Sequence, residues 1–198
     1  MRKNKFYALF LSGLCCLALL NGCASKDKEG SGPQEQHASE ESNVSDNSVG
    51  EFSMQDIEGE TYTQEMFADH DLTMVNVFTT WCTPCVNEIP DLQTLWENQK
   101  EQGVNVVGIV LDSIDSNGAA DQEIIEKAKV LAERTGAAYP FLIPDQSYLN
   151  GRLSGINAVP ETFFVDKDGN IVGETYSGSR SLEDWETIVA ALKQETAQ

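Results

Sequence analysis

Residues 76–90 read NVFTTWCTPCVNEIP. This stretch begins inside a continuous apolar run, Leu72 to Thr79, which has the length of a buried β-strand. It continues into Thr83 to Gln102, where apolar residues recur every three or four positions, as they do on one side of a helix. Cys82 and Cys85 therefore lie at the point where a buried strand passes into a helix.

The start of a helix gives the first cysteine a reason to be reactive. Free amide groups there, together with the helix dipole, favour an anion, so that the Cys82 thiol can ionise near neutral pH. Pro84 lacks an amide proton and fits the first helical turn, where no intrahelical partner is needed. Two cysteines separated by two residues are also close enough to form a small disulfide. The pattern is typical of a redox pair.

Three other interpretations of the cysteine pair compete with this one. A zinc site needs about four ligands, whereas residues 51–198 offer two cysteines and one histidine, His70. A static structural disulfide is compatible with an exported protein, but so small a loop gains little stability from cross-linking. Two unrelated buried thiols would not need Trp81, Pro84 and a helix start beside them. We therefore favour redox chemistry.

Strands and helices alternate on both sides of the pair. Two strands joined by a helical crossover, then a hairpin and a last helix, predict a mixed α/β sheet with helices on both faces. Residues 51–71 predict an extra N-terminal hairpin and turn. The other predicted elements are strands at Val104 to Leu111, Ala138 to Ile143, Glu161 to Val165 and Asn170 to Tyr176, and helices at Asp121 to Thr135 and Ser181 to Lys193; Pro90 predicts a kink.

Local motifs mark the ends of these elements. Gly136 is the predicted C-cap of its helix, and the tetrapeptide at 166–169, Asp-Lys-Asp-Gly, predicts a hairpin turn. Ser181 and Asp184 have the spacing of a capping box at the start of the last helix.

The first 22 residues have the pattern of an export signal. They contain three basic residues and no acid, followed by an apolar run from Phe6 to Leu20. The run ends in Asn21-Gly22-Cys23, which resembles a bacterial lipoprotein signal in which Cys23 is lipidated. The alternative is an uncleaved anchor helix, for which the run is short. Either interpretation tethers the protein outside the cytoplasm.

Residues 23–50 predict a flexible, acidic and polar linker, and residues 51–198 predict the folded domain. The linker is rich in Ser, Glu, Gln, Asn and Gly and buries too little apolar surface to fold. The whole chain has 32 acidic and 13 basic residues, a formal charge of −19, which argues against nucleic-acid binding. We expect the acidic residues Asp112, Asp115, Asp121 and Glu123 to form a solvated face.

Two segments resemble the TlpA/ResA-like branch of thioredoxin-fold proteins. One is the stretch at 76–90, and the other is VPETFFVD at 159–166, which looks like the segment that holds the cis-proline of that fold. The similarity covers about residues 51–195. The resemblance implies a thioredoxin fold with an N-terminal extra hairpin and a central insertion, Asp112 to Asp145. Asn76 occupies the place where thioredoxin itself has a buried Asp.

The resemblance also implies roles for the catalytic residues. Cys82 would be the exposed nucleophile and Cys85 the resolving thiol. Glu88 would lie near the pair and influence proton transfer, whereas the residues alone favour a solvated helix position. Glu161, after the proline, is a departure from many relatives and adds charge near the substrate groove.

The same resemblance implies a substrate surface made by Trp81, Pro84, Val159 and Pro160. Pro160 would be cis and would face the disulfide, although an ordinary edge proline is the alternative. Trp81 could shield the disulfide or simply pack.

These residues predict thiol–disulfide exchange. The resemblance favours a reductase that takes electrons from a membrane thiol transporter and passes them to exported proteins, such as apocytochrome c or methionine sulfoxide reductases. We expect a monomer that needs no cofactor beyond the Cys82–Cys85 disulfide, anchored by lipid on the extracytoplasmic face of the cell membrane. The alternatives are an oxidase that donates its disulfide to folding proteins and a non-catalytic interaction module. A thiol peroxidase would need a different motif around a single cysteine.

Overall fold

The computed structural model describes residues 47–196 of the chain. The predicted signal peptide (1–22), Cys23 and most of the predicted linker therefore lie outside the described residues. Within the described range, no helix has both the length and the apolar character needed to cross a membrane.

The described residues form a seven-stranded sheet and four α-helices. The strands are β1 (Ser53–Asp56), β2 (Thr61–Thr63), β3 (Leu72–Phe78), β4 (Val104–Val110), β5 (Phe141–Ile143), β6 (Glu161–Asp166) and β7 (Ile171–Ser177). The helices are α1 (Thr83–Gln99), α2 (Gln122–Thr135), α3 (Gln146–Asn150) and α4 (Leu182–Thr196). Short 3-10 turns occupy Gln64–Phe67, Lys100–Gln102 and Leu111–Ser113.

The sheet is mixed, as the sequence predicts. Its strand order is β2-β1-β5-β4-β3-β6-β7. Strands β3, β4 and β5 run parallel to one another, whereas the pairs β1–β2, β1–β5, β3–β6 and β6–β7 are antiparallel. Every residue of β3 and β4 is buried, which explains why both strands read as continuous apolar runs.

The three long helices cover the sheet unevenly. Alternate residues of β3 face opposite sides, so Met74 packs in a cluster with residues of α1, α2 and α4, whereas Val75 packs in the other cluster. That second cluster contains Val49, Phe67 and Tyr148. The prediction of helices on both faces is therefore confirmed, but unevenly. The three long helices cover one face, and on the other face only the short α3 and one 3-10 turn contribute.

Most predicted boundaries agree with the structure to within a few residues. Gly136 is the left-handed C-cap of α2, and the capping box of α4 is formed, with Ser181 Oγ 3.3 Å from the amide of Asp184 and Asp184 Oδ2 3.3 Å from the amide of Ser181. Pro90 lies inside α1, which runs through it to Gln99. Helix α3 has no counterpart among the sequence predictions.

The packed part of the chain begins before Glu51. Ser48 bridges Asn170 in antiparallel fashion, and the Val49 amide donates to the Gly169 carbonyl at 3.0 Å. Val49 is 3% exposed. The last residues of the predicted linker thus pack with the domain. Val49 is buried among apolar residues from distant parts of the chain, and a single valine in a polar stretch gives no local sign of such contacts.

Candidate active site

Cys82 and Cys85 are joined by a disulfide at the start of α1. Cys82 is the N-cap of the helix, and its Sγ accepts a hydrogen bond from the Cys85 amide at 3.3 Å. Pro84 lies in the first turn, where its missing amide proton costs nothing. The amide aimed at Cys82 Sγ is the group that would stabilise a thiolate there after reduction.

The disulfide lies just under the surface. Cys82 is 6% exposed and Cys85 is 1% exposed, so Cys82 is the more accessible sulfur but is more buried than the expected exposed nucleophile. Trp81 beside it is 73% exposed, and Pro84 is also exposed. Trp81 therefore does not pack into the core, and it offers an apolar surface next to the disulfide.

The segment before β6 comes against the disulfide. The Val159–Pro160 peptide bond is cis, as the resemblance implies. The Val159 carbonyl oxygen lies 3.6 Å from Cys82 Sγ, although the two residues are 77 positions apart in the sequence. The fold thus brings together the two motifs that carried the resemblance.

Glu88 is a buried carboxyl group one helical turn after Cys85. It is 3% exposed, which rules out the alternative of a solvated helix position. One carboxyl oxygen, Oε1, accepts hydrogen bonds from the Arg180 amide and from Trp185 Nε1, both at 2.8 Å. Burial raises the pKa of Glu88 above its ordinary value of 4.5, and the hydrogen bonds from Arg180, Trp185 and Asn76 oppose that rise.

Asn76 links Glu88 to the strand that follows the cis-proline. Its Nδ2 donates to Thr162 Oγ1 at 2.9 Å and lies 3.4 Å from Glu88 Oε2. Asn76 and Thr162 are also register partners in the β3–β6 ladder. A buried polar network therefore runs from α1 through β3 to β6, behind the disulfide.

Three contributors were not found by sequence reasoning. Arg180 donates to Glu88 through its backbone amide, a role that any residue type except proline could fill and that the sequence therefore does not indicate. Trp185 donates to Glu88 through Nε1, whereas the sequence showed it only as an apolar residue of the last helix. Asp112, which we expected on a solvated face, accepts hydrogen bonds from the Thr80 amide at 3.0 Å and from Thr80 Oγ1 at 2.7 Å. It thereby holds the residue before Trp81, so the expectation for Asp112 was wrong. Asp121, from the same set, caps α2.

The described residues contain no group of three or more His, Cys, Asp or Glu side chains placed to hold a metal ion.

A cysteine pair at a helix start, facing a cis-proline on a mixed sheet, defines a thiol–disulfide oxidoreductase of the thioredoxin fold. Residues 46–173 match the AhpC/TSA family, and the chain belongs to this family.

Named relatives agree with this class. The chain is 27% identical over 143 residues to the thiol-disulfide oxidoreductase ResA of Geobacillus thermodenitrificans, covering 72% of this chain and 75% of that protein. It is 30% identical over 128 residues to the thiol:disulfide interchange protein DsbE of Haemophilus influenzae, covering 65% of this chain and 62% of that protein. A crystal structure of a thioredoxin family thiol:disulfide interchange protein from Chlorobium tepidum superposes with a TM-score of 0.61 at 26% identity, over 74% of this chain and 96% of that one.

Proposed function

We propose that this protein is a membrane-tethered extracytoplasmic reductase of protein disulfides. The observation that carries the proposal is the placement of Cys82 at the N-cap of α1, against the Val159 carbonyl and in front of the buried Glu88. This arrangement provides a sulfur that can ionise, a second sulfur three residues away to resolve the intermediate, and a carboxyl group for proton transfer.

The reaction begins with the reduced pair. The Cys82 thiolate attacks one sulfur of the target disulfide, forming a mixed disulfide, and the other target sulfur leaves as a thiolate that takes up a proton. Cys85 then loses its proton, with Glu88 as the acceptor, and attacks Cys82 Sγ. The mixed disulfide breaks, and the second target sulfur leaves as a thiolate that takes up a proton. The target now carries two thiols and the Cys82–Cys85 disulfide is restored, so that two electrons have passed from the protein to the target. No metal or organic cofactor takes part.

The substrate-facing surface would be made by Trp81, Pro84 and the half-buried Val159, with the buried Pro160 behind it. The backbone before Pro160 would pair with an extended segment of the target, in the manner of strand addition. Two of these residues, Trp81 and Pro84, are exposed beside the disulfide and would contact the same segment.

The N-terminal pattern and the family resemblance support a proposal for location and partners. Lipidation at Cys23 would anchor the chain on the extracytoplasmic face of the cell membrane, with residues 24–46 as a tether and the domain acting as a monomer. A membrane thiol-electron transporter would keep the pair reduced. The targets would be exported proteins with oxidised cysteine pairs, of the apocytochrome c or methionine sulfoxide reductase type.

The equilibrium potential of the pair tests the direction of electron flow. The protein is equilibrated with glutathione buffers of known ratio, and the oxidised fraction is read by thiol alkylation and mass spectrometry. A potential near about −270 mV supports a reductase, whereas one near about −120 mV supports a disulfide-donating oxidase.

Single-cysteine variants test the assignment of the two sulfurs. Cys85→Ser leaves the attacking sulfur without its resolving partner, so it should accumulate mixed disulfides with targets, visible on non-reducing gels. Cys82→Ser should abolish reduction of insulin. Full insulin reduction by Cys82→Ser would remove the nucleophile assignment, and none by the wild type would favour a non-catalytic interaction module.

A further inference from the structure

A groove of about 550 Å³ lies between the start of α1 and the side of α2. Thr80 and Val86 form its wall nearest the disulfide, and Val130, Leu131 and Arg134 of α2 contribute to the opposite side. We call it the α2 groove. Thr80 precedes Trp81 and Val86 follows Cys85 in the chain, so the groove opens directly beside the cysteine pair.

Exposed apolar side chains occur both in the groove and next to the disulfide. Among residues 47–196, two large hydrophobic side chains are exposed: Trp81 at 73% and Val130 at 50%. Val130 lies in the α2 groove, and Trp81 is attached to Thr80 in its wall. Apolar side chains left in water next to a reactive group are typical of a surface that another molecule covers.

The charges that line the groove are balanced in number, with Glu123 and Glu126 against Lys127 and Arg134, but one of the two cations is unpaired. Two of its glutamates are already paired with lysines of α2, Glu123 with Lys127 at 2.8 Å and Glu126 with Lys129 at 3.2 Å. Arg134 lines the groove one turn after Val130, and in the described part of the chain it has no ion pair or hydrogen bond. In a chain of charge −19, this is a local site of unpaired positive charge.

We propose that the α2 groove binds the segment of the target polypeptide that flanks its disulfide, with an apolar side chain over Val130 and a carboxylate facing Arg134. A target sulfur that reaches Cys82 brings its neighbouring residues over the adjacent surface. Because an extended chain advances about 3.3 Å per residue, a few flanking residues extend the target well beyond its reacting sulfur, towards a groove that includes Thr80 and Val86. One arm of the target would pair near Pro160, and the other would lie in the α2 groove.

The inference rests on the proposed thiol–disulfide exchange, but it does not depend on the direction of electron flow. It adds a substrate preference: targets with an apolar and an acidic residue beside the cystine should react faster than targets without them.

Disulfide-linked synthetic peptides test this preference. Three peptides differ only in the two residues beside the cysteine, which are Leu and Asp in the first, Leu and Lys in the second, and Ser and Asp in the third. Oxidised glutathione serves as a small disulfide that has no flanking chain. The second-order rate constant for reduction by the pre-reduced protein is measured for each one. For the wild type we expect the Leu/Asp peptide to react about tenfold faster than the other two, the effect of one apolar or one charged contact.

Charge reversal provides the decisive comparison. Arg134→Glu should invert the order of the Leu/Asp and Leu/Lys peptides, and Arg134→Lys should keep it. Val130→Asp should lower the rate ratio of Leu/Asp peptide to glutathione about tenfold, while Val130→Leu should retain it. Val130 is half exposed, so these variants are expected to fold, which far-UV circular dichroism checks. The matched control is Gln122→Glu, an exposed position of α2 outside the groove.

Equal wild-type rates for the three peptides, or an unchanged order in Arg134→Glu, would overturn the groove proposal and leave the exchange reaction intact. A wild-type protein that reduces neither the peptides nor glutathione would contradict the proposed function itself, and the groove proposal would fall with it.

Discussion

Glu88 lies in surroundings unlike those that its residue type suggests. A carboxyl group in the interior is costly unless donors replace its hydration, and here the donors are the Arg180 amide, Trp185 Nε1 and Asn76 Nδ2. The hydrogen bonds do not fully offset burial, so the pKa of Glu88 is raised. A carboxyl with a raised pKa behind a sulfur pair is suited to exchange protons closer to neutral pH than an exposed glutamate.

Glu88→Gln should change how stability depends on pH. The folded protein holds the Glu88 proton more tightly than the unfolded chain, so this proton stabilises the fold below the ordinary value of 4.5, and the contribution is lost as pH rises through the raised folded pKa. Glutamine has no such proton to lose. The unfolding free energy of Glu88→Gln, relative to that of the wild type, should therefore increase with pH.

Urea unfolding of the oxidised protein at a series of pH values from 4 upward, on the order of half a unit apart, measures this difference. Glu101→Gln, at an exposed position, controls for the loss of one surface carboxylate. Parallel curves for Glu88→Gln and the wild type would contradict the raised pKa.

At the scale of elements, the junction between β3 and α1 is held from outside by the turn that follows β4. Asp112 in that turn binds both the amide and the hydroxyl of Thr80. Thr80 lies two residues before Cys82, so these hydrogen bonds constrain the approach to the helix start. Elements that are adjacent in the sheet, rather than in sequence, thus position the cysteine pair.

Asp112→Ala should leave the Thr80 amide without its acceptor and destabilise the domain by about 1–3 kcal/mol. Asp112→Asn keeps an acceptor oxygen and should recover most of that loss. Thermal or urea unfolding measures the stability, and the rate of insulin reduction reports the position of Cys82; we expect both to fall in Asp112→Ala. An effect no larger than that of Asp69→Ala, an exposed aspartate, would show that Asp112 is dispensable.

The elements themselves were largely predictable, and the exception has a physical cause. The buried strands β3 and β4, the amphipathic α2 and the capped α4 each carry a pattern along many consecutive residues. Helix α3 was not predicted, because its five residues are too few to show a helical period. Strand β5 was predicted as part of Ala138 to Ile143, but its three residues leave its bounds to its neighbours in the sheet, such as β1.

For the whole molecule, the strong acidity bears on the proposed membrane tether. In a chain tethered as we propose, a net charge of −19 would repel anionic lipid headgroups. Removal of residues 1–22, which carry basic residues and no acid, would make the mature chain still more acidic.

Cys23→Ala should prevent lipidation and leave unprocessed or unanchored protein. Membrane fractionation followed by mass spectrometry of the intact chain measures both effects, and Ser25→Ala is a neighbouring control that leaves the proposed lipidation residue in place. Unchanged membrane retention together with an unchanged mass in Cys23→Ala would contradict the lipid anchor.

The sequence pattern was enough to locate the cysteine pair, the strand before it and the helix after it. The spacing of apolar residues and the capping of a helix depend only on residues that are near one another in the sequence. The resemblance of two short segments added the cis-proline. The burial of Glu88, its amide donor from Arg180 and the contact between Asp112 and Thr80 were decided only by the tertiary structure. These contacts join residues 92 and 32 positions apart, and such partners are chosen by how the sheet and helices pack, which no local pattern encodes.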